Sequence, residues 1–305
     1  MQVRLEQALR DALAESARSG PPLLAEAMSY AVFPGGGRAR PRLCLAVAEA
    51  CRAGDRTDEP RTDHEPLVVA AAVAIELLHC ASLVHDDLPC FDDADERRGR
   101  PSVHCMFGEP LAVLAGDGLI TLAFETVARA GGEHPQRVGP LVVLLARAVG
   151  SVDGLVAGQA WESEPSVPLE RYHRAKTGAL FVAATMSPAL AMGRDAEPWR
   201  ALGEHLGDAY QLADDLLDAY ATRELAGKPV GRDEALARPS GAATHGPEAM
   251  RTFHELTRRA IRSVPESPGA EGLRRLVADI AARLVPIDRS MRHDLGTSEP
   301  RSQQG

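Results

Sequence analysis

Between Leu67 and about His85 the chain reads LVVAAAVAIELLHCASLVH, an apolar, alanine-rich run with Glu76 as its one acidic residue. A stretch this long and apolar predicts a helix buried on most sides, and its small residues let neighbouring helix backbones come close. Pro89 terminates it and leaves Asp86 and Asp87 in the last turn. Carboxylates there face the negative end of the helix dipole, so they cost stability unless a cation compensates.

The rest of the chain repeats the helical pattern. Apolar residues recur at helical spacing over roughly 2–18, 22–32, 38–52, 109–130, 136–159, 168–192, 196–221, 247–263 and 270–286, and no segment alternates strictly enough to predict a strand. Aromatic residues make up only 4% of the 305, whereas alanine and leucine abound, which favours packed helices over sheets. The polar stretches 53–66 and 222–246 have the size of loops that elaborate one domain, so the expectation is a single all-α domain over 1–305 with about ten or more helices. The tail from about Met291, ending GTSEPRSQQG, is expected to be disordered.

Charge and composition narrow the function. A net charge of −9 without a basic stripe argues against nucleic-acid binding. The charged N-terminus MQVRLEQALRDALAES lacks a signal-peptide pattern, and Arg147 and Asp117 interrupt the longest apolar runs, so no transmembrane span is expected. The five cysteines are scattered and form no C-x-x-C pair, which suits reduced thiols in a cytoplasmic protein. The run LVVLLARAVG is apolar nearly all round, so it is expected to be central or at the interface of a two-fold homodimer.

A second acidic cluster lies far downstream, in QLADDLLD. Gln211, Asp214 and Asp218 recur at i, i+3 and i+7 and so share a helix face, with Asp215 beside them. A single Asp-Asp pair is usually a solvated helix face. Two clusters (Asp86, Asp87 and Asp92; Asp214, Asp215 and Asp218) without Cys or His in ligand spacing suit a hard divalent cation such as Mg²⁺. Cations accompany them. Of the 34 Lys plus Arg only Lys176 and Lys228 are lysines, and both sit in Gly-containing contexts, AKTG and AGKPVG. Such sites suit a compact ammonium beside phosphate oxygens. Arg38 and Arg40 follow a glycine-rich turn at a helix start, and Arg97 and Arg98 follow the first acidic cluster.

These motifs resemble the trans-isoprenyl diphosphate synthases, or polyprenyl synthetases. LLHCASLVHDDLPCFDDADERRGRPSVH is similar to their first Asp-rich motif and QLADDLLD to their second. GGGRARP, KTG and GKPVGRD match further motifs in order and spacing. The resemblance covers about residues 30–240, and EPLAVLAGD and AGQAWESE look closest to the bacterial geranylgeranyl diphosphate synthases of carotenoid and bacteriochlorophyll pathways. It implies a helical bundle of the isoprenoid synthase type around a central active-site cavity. It implies that Asp86, Asp87, Asp92 and Asp214, with Asp215 and Asp218, hold Mg²⁺ on an allylic diphosphate. Arg97, Lys176, Thr177, Gln211 and Lys228 would surround that diphosphate. Arg38, His79 and Arg98 would bind the diphosphate of isopentenyl diphosphate.

Two departures from the family pattern stand out. Gly37 occupies the place of the usual lysine in a Gly-Gly-Lys-Arg-x-Arg-Pro motif, so one isopentenyl diphosphate contact is missing, with either Arg40 or another arginine substituting or a lower affinity for that substrate; Ala94 replaces a common Asp. One turn before Asp86 lie Ala81 and Ser82, both small, where bulky aromatics limit family products to farnesyl length. The expected product is therefore geranylgeranyl diphosphate, with farnesyl or longer polyprenyl diphosphates as alternatives. From other classes, a class I terpene cyclase would need no second diphosphate site and usually carries Asn, Ser and Glu in its second motif. A non-catalytic family subunit typically loses its Asp clusters.

Overall fold

Helix α4 (Pro66–Asp86) is the hub of the fold, in a computed structural model that describes residues 2–52, 66–132, 134–220 and 248–284. Leu67 to Leu78 are buried almost without interruption, together with Cys80, Ala81 and Val84. The helix packs against α3 (Ala39–Arg52), α6 (Glu109–Ala130) and α10 (Ala179–Ala191). Alanines at 70, 71, 72 and 74 are what permit several helices to close on it at once. Each buried leucine, isoleucine or phenylalanine in this core contributes about 1.5–3 kcal/mol. Phe181 on α10, at 0% exposure, is among the largest side chains held there.

The remaining elements follow in chain order. They are α1 (Gln2–Ala17), α2 (Pro22–Val32), a hairpin of β1 (Glu96–Arg97) and β2 (Arg100–Pro101), α5 (Val103–Phe107), α7 (Pro135–Val149), α8 (Leu155–Trp161) and α9 (Leu169–His173). Then come a π-helical turn (Arg174–Gly178), a short 3₁₀ turn (Glu197–Trp199), α11 (Arg200–Tyr220), α12 (Ala249–Arg262) and α13 (Ala270–Leu284). The fold is all-α, as its sequence predicts, and residues 2–17, 22–32 and 109–130 match their expected spans to within a residue.

Three expectations are corrected. The helix expected over 136–159 is two helices, because the chain turns at Gly150–Gly154. A Cβ on Gly154 would lie 2.4 Å from the Arg147 carbonyl oxygen, so a side chain there would prevent the turn. The segment 168–192 is interrupted by the π-turn at Lys176, a distortion that helices commonly reserve for functional positions. A small antiparallel hairpin stands where no strand was expected. It pairs Glu96 with Pro101 and Arg97 with Arg100. Its turn residues Arg98 and Gly99 have φ of 56° and 72°, the double left-handed geometry of a two-residue hairpin loop.

Helices α4 and α6 are long and apolar enough to cross a membrane. Helix α4 is a core helix here, whereas α6 keeps an exposed apolar side. The segment 222–246 expected to be a loop, most of 53–66 and the stretch from Met291 lie outside the described residues.

Candidate active site

The first acidic cluster forms because α4 ends and the chain curls back on it. Asp92 N–H donates to the Asp86 carbonyl at 2.9 Å, and Ala94 N–H to that of Asp87 at 3.1 Å. The curl needs a left-handed φ of 47° at Asp93. It carries Asp92 back over the helix end. Asp87 is buried and accepts from Arg97, whose Nε lies 3.0 Å and Nη2 2.5 Å from one carboxylate oxygen. Burial pushes the Asp87 carboxyl up, and Arg97 partly offsets this. Among the described residues no arginine is hydrogen-bonded to Asp86 in this way. Burial pushes its carboxyl up to about 6, with Lys176 opposing and Asp92 adding repulsion. A carboxylate so placed gains from a further cation, and an oxygen-only donor set suits a hard one.

Lys176 approaches this cluster from the π-turn. Its ammonium pairs with Glu162 and lies 5.6 Å from the Tyr172 ring centre. Tyr172 in turn donates to Glu162 Oε1 at 2.7 Å. The close approach of α8 to this turn requires Gly158, since a Cβ there would sit 2.6 Å from the Lys176 Cα. The next residue, Thr177, donates its hydroxyl to Gln211 Oε1, and Gln211 Nε2 donates to Asp215 Oδ1 at 2.7 Å. His173 Nε2 lies 3.8 Å from the other Asp215 oxygen. Asp215, 1% exposed, is thus tied into a protein network, and Asp214, one turn beyond Gln211, is half-buried. The π-turn touches both acidic clusters: Thr177 reaches Asp215 through Gln211, and the neighbouring Lys176 acts electrostatically on Asp86. Asp218 lies on α11, but its side chain lies outside what is described, and so does all of Lys228.

A second arrangement lies two turns back along α4. A cavity of about 220 Å³ is lined by Arg40, Arg42, His79, Arg98, Tyr210 and Arg283, among others. Arg38 borders it, yet each of its guanidinium nitrogens is already engaged by the protein. Nε donates to Glu6 at 2.9 Å, Nη1 to Glu76 at 2.6 Å and Nη2 to the Val32 carbonyl at 2.9 Å. Burial opposes its charge, but the hydrogen bonds to Glu6 and Glu76 outweigh it and raise the pKa. The anion-binding role expected of Arg38 therefore meets a side chain committed to the fold. Arg40 differs. It stacks 4.4 Å from the Phe181 ring centre and 5.0 Å from that of Tyr210. Its buried Nε has no hydrogen-bond partner among the described residues. Buried polar atoms without partners are rare, and an arginine nitrogen left so beside a cavity suits an incoming anion. Burial, together with the arginines at 40, 98, 97 and 38, depresses the His79 pKa well below the usual range. His79 is neutral at neutral pH and offers an N–H donor rather than a charge. A Cβ on Gly37 would meet nothing within 4 Å, so the space of the missing lysine is open.

Of the chain-length candidates, Ser82 is half-buried on the same face as His79 and Asp86 and donates to the His79 carbonyl at 2.9 Å. Ala81 is 1% exposed within the core. The residues that sequence reasoning missed are Glu162, Tyr172 and His173. AGQAWESE was noticed as a motif, but nothing in its spacing shows that Glu162 reaches Lys176.

An all-helical bundle with linked carboxylate clusters beside an arginine-lined cavity defines an isoprenoid-synthase type of protein. The apo structure of a FPP/GFPP synthase from Zymomonas mobilis is 31% identical and covers 92% of this chain and 98% of its own, with a TM-score of 0.74. A geranyltransferase from Helicobacter pylori, complexed with magnesium and isoprenyl diphosphate, is 27% identical over 91% and 96%, also with a TM-score of 0.74. The geranylgeranyl diphosphate synthase of Cereibacter sphaeroides is 50% identical over 93% of this chain and 96% of its own length. The polyprenyl synthetase family model matches residues 21–270. The chain belongs to the polyprenyl synthetase family.

Proposed function

We propose that this protein condenses isopentenyl diphosphate with an allylic diphosphate and releases geranylgeranyl diphosphate and diphosphate. One observation carries the reading: the carboxylate cluster at the end of α4 lies about 10 Å along that helix from a cavity whose buried Arg40 Nε has no partner among the described residues. Two anionic groups, one bound through a cation and one by arginines, can then lie side by side.

Asp86, Asp92 and Asp214, with Asp87, Asp215 and Asp218, would hold Mg²⁺. Bound there, the cation neutralises the charge that develops on a departing allylic diphosphate. The magnesium and isoprenyl diphosphate in the Helicobacter pylori relative support this assignment. Lys176 and Arg97 add fixed positive charge where the leaving oxygens gather, an electrostatic contribution that needs no reorganisation during reaction. Arg40, Arg98 and neutral His79 grip the second diphosphate and hold its double bond alongside the allylic carbon, so positioning is the other large contribution. The small side chain of Ser82 leaves the tail room to lengthen past farnesyl size. The 50% identity to a named geranylgeranyl diphosphate synthase supports the twenty-carbon product.

We also place the protein in the cytoplasm as a homodimer of single-domain subunits, in isoprenoid biosynthesis leading to carotenoids. The exposed Val113 and Leu114 of α6 support the dimer. The activity is tested by incubation with Mg²⁺, labelled isopentenyl diphosphate and dimethylallyl, geranyl or farnesyl diphosphate. Geranylgeranyl diphosphate as the main product supports the reading. Absence of any chain elongation, or a cyclic hydrocarbon product, overturns it.

A further inference from the structure

At the base of the β1–β2 hairpin, outside the residues assigned above, three unlike side chains converge. Asp95 precedes β1, and His104 and Cys105 lie in α5 just after β2. The Ser102 N–H donates to the Asp95 carbonyl at 2.8 Å and closes the hairpin base, which brings the two sides together. Cys105 Sγ lies 3.4 Å from His104 Nε2 and 3.7 Å from Asp95 Oδ1, and one ligand atom of each residue lies within 4.8 Å of the others.

These spacings can be compared with those a metal would impose. Tetrahedral Zn²⁺, with bonds of about 2.3 Å to sulfur and about 2.0–2.2 Å to nitrogen and oxygen, sets neighbouring ligand atoms about 3.3–3.6 Å apart. The observed separations from Sγ fall at or just beyond that range. A second observation points the same way. The Ser102 hydroxyl, on a residue 1% exposed, lies 2.9 Å from His104 Nδ1. With Nδ1–H donating to that oxygen, the lone pair sits on Nε2, the nitrogen that faces Cys105. Hydrogen bonds to the outer imidazole nitrogen are how metal-ligating histidines are oriented. Asp95 and Cys105 are exposed, so an ion has access from solvent.

We propose that Asp95, His104 and Cys105 form a binding site for a thiophilic divalent cation of the zinc class, with water as the fourth ligand. The sulfur and nitrogen donors distinguish it from the oxygen-only clusters that suit magnesium. Binding expels the Cys105 thiol proton to solvent and forms a metal–thiolate bond, without any redox change. The metal ties the segment before β1 to helix α5. That pins the hairpin that presents Arg97 to Asp87 and Arg98 to the arginine-lined cavity.

The test uses the full chain without a histidine tag, stripped of metal and kept in excess Mg²⁺ so that the aspartate clusters are occupied. Co²⁺ is added as the spectroscopic probe, followed by Zn²⁺. The expected result is one equivalent of Co²⁺ with a near-ultraviolet thiolate-to-cobalt charge-transfer band, displaced by one equivalent of Zn²⁺. Affinity should fall at least about tenfold in Cys105→Ser and in Asp95→Asn, while Cys90→Ser, which alters the other exposed cysteine, retains the band. No charge-transfer band in the natural protein, or an undiminished band in Cys105→Ser, overturns the proposal. The readout is metal binding, so it stands apart from any outcome of the chain-elongation assay.

Discussion

Asp86 is held in a state that costs the metal-free protein stability. Its folded pKa of about 6 lies above the ordinary carboxyl value of 3.8, chiefly through burial. The folded state therefore binds a proton more tightly than the unfolded state does. The cost of ionisation is fully present above about pH 6 and vanishes as pH falls towards 4. Asp86→Asn should stabilise the metal-free protein at pH 7 by about 1–3 kcal/mol, the gain fading as pH falls through 6 to 4. Turnover should fall by orders of magnitude. Denaturant melts across that pH range, with and without Mg²⁺, check it, and an unchanged or lowered stability at pH 7 would count against the assignment. Neighbouring arginines should separate in the same way. Arg38→Ala leaves Glu76 buried without its partner and should cost about 3–5 kcal/mol of stability. Arg40→Ala should cost less stability than Arg38→Ala, since it loses stacking on Phe181 and Tyr210 but strands no buried carboxylate, and should raise the KM for isopentenyl diphosphate about 10–100-fold. Steady-state kinetics with the allylic substrate saturating distinguish the two.

Between elements, the site depends on how closely helices approach. A Cβ on Gly207 of α11 would lie 2.7 Å from the Gly178 Cα. With no side chain there, α11 rests on the π-turn and Gln211 reaches Thr177. Gly207→Ala must push the two apart, at about 1–3 kcal/mol, and should lower kcat more than a distant mutation of equal destabilisation. Circular-dichroism melts beside kcat measurements test the pairing, and loss of stability with kcat intact would refute it. Along α4, the half-buried Ser82 and the core residue Ala81 should respond differently to enlargement. Ser82→Phe is expected to shift the main product towards farnesyl diphosphate in a folded protein, because it narrows the face below Asp86. Ala81→Phe overpacks the core and should cost stability as well. Product chromatography of the Ser82 variant decides, and an unaltered distribution would mean that the tail does not pass this residue.

For the molecule as a whole, the side of α6 away from α4 needs an explanation. Val113 is 42% and Leu114 50% exposed, on a helix whose opposite side is packed into the core. A second copy covering this face would account for it. Leu114→Arg should convert a dimer to a monomer in light scattering at micromolar concentration, with helix content retained. A natural protein already monomeric at that concentration would remove the argument.

What the chain determined by itself was periodicity and local chemistry. Long apolar runs punctuated by Pro89 and the glycines, two aspartate clusters and an arginine-rich turn announce helices, a cation and an anion, because each is encoded within a few residues. The same local signals marked Asp86, Asp87, Arg97 and Lys176, which the fold then gathers. What only tertiary structure decided was partnership. Arg38 and Arg40 sit two residues apart with the same side chain. One is consumed by Glu6 and Glu76, from α1 and α4, and the other is left against Phe181 and Tyr210, from α10 and α11. Glu162 was illegible for the same reason, because no local pattern records which side chain a charge meets once the helices pack. The hairpin was missed because its strands are only two residues each, too short for an alternation to show.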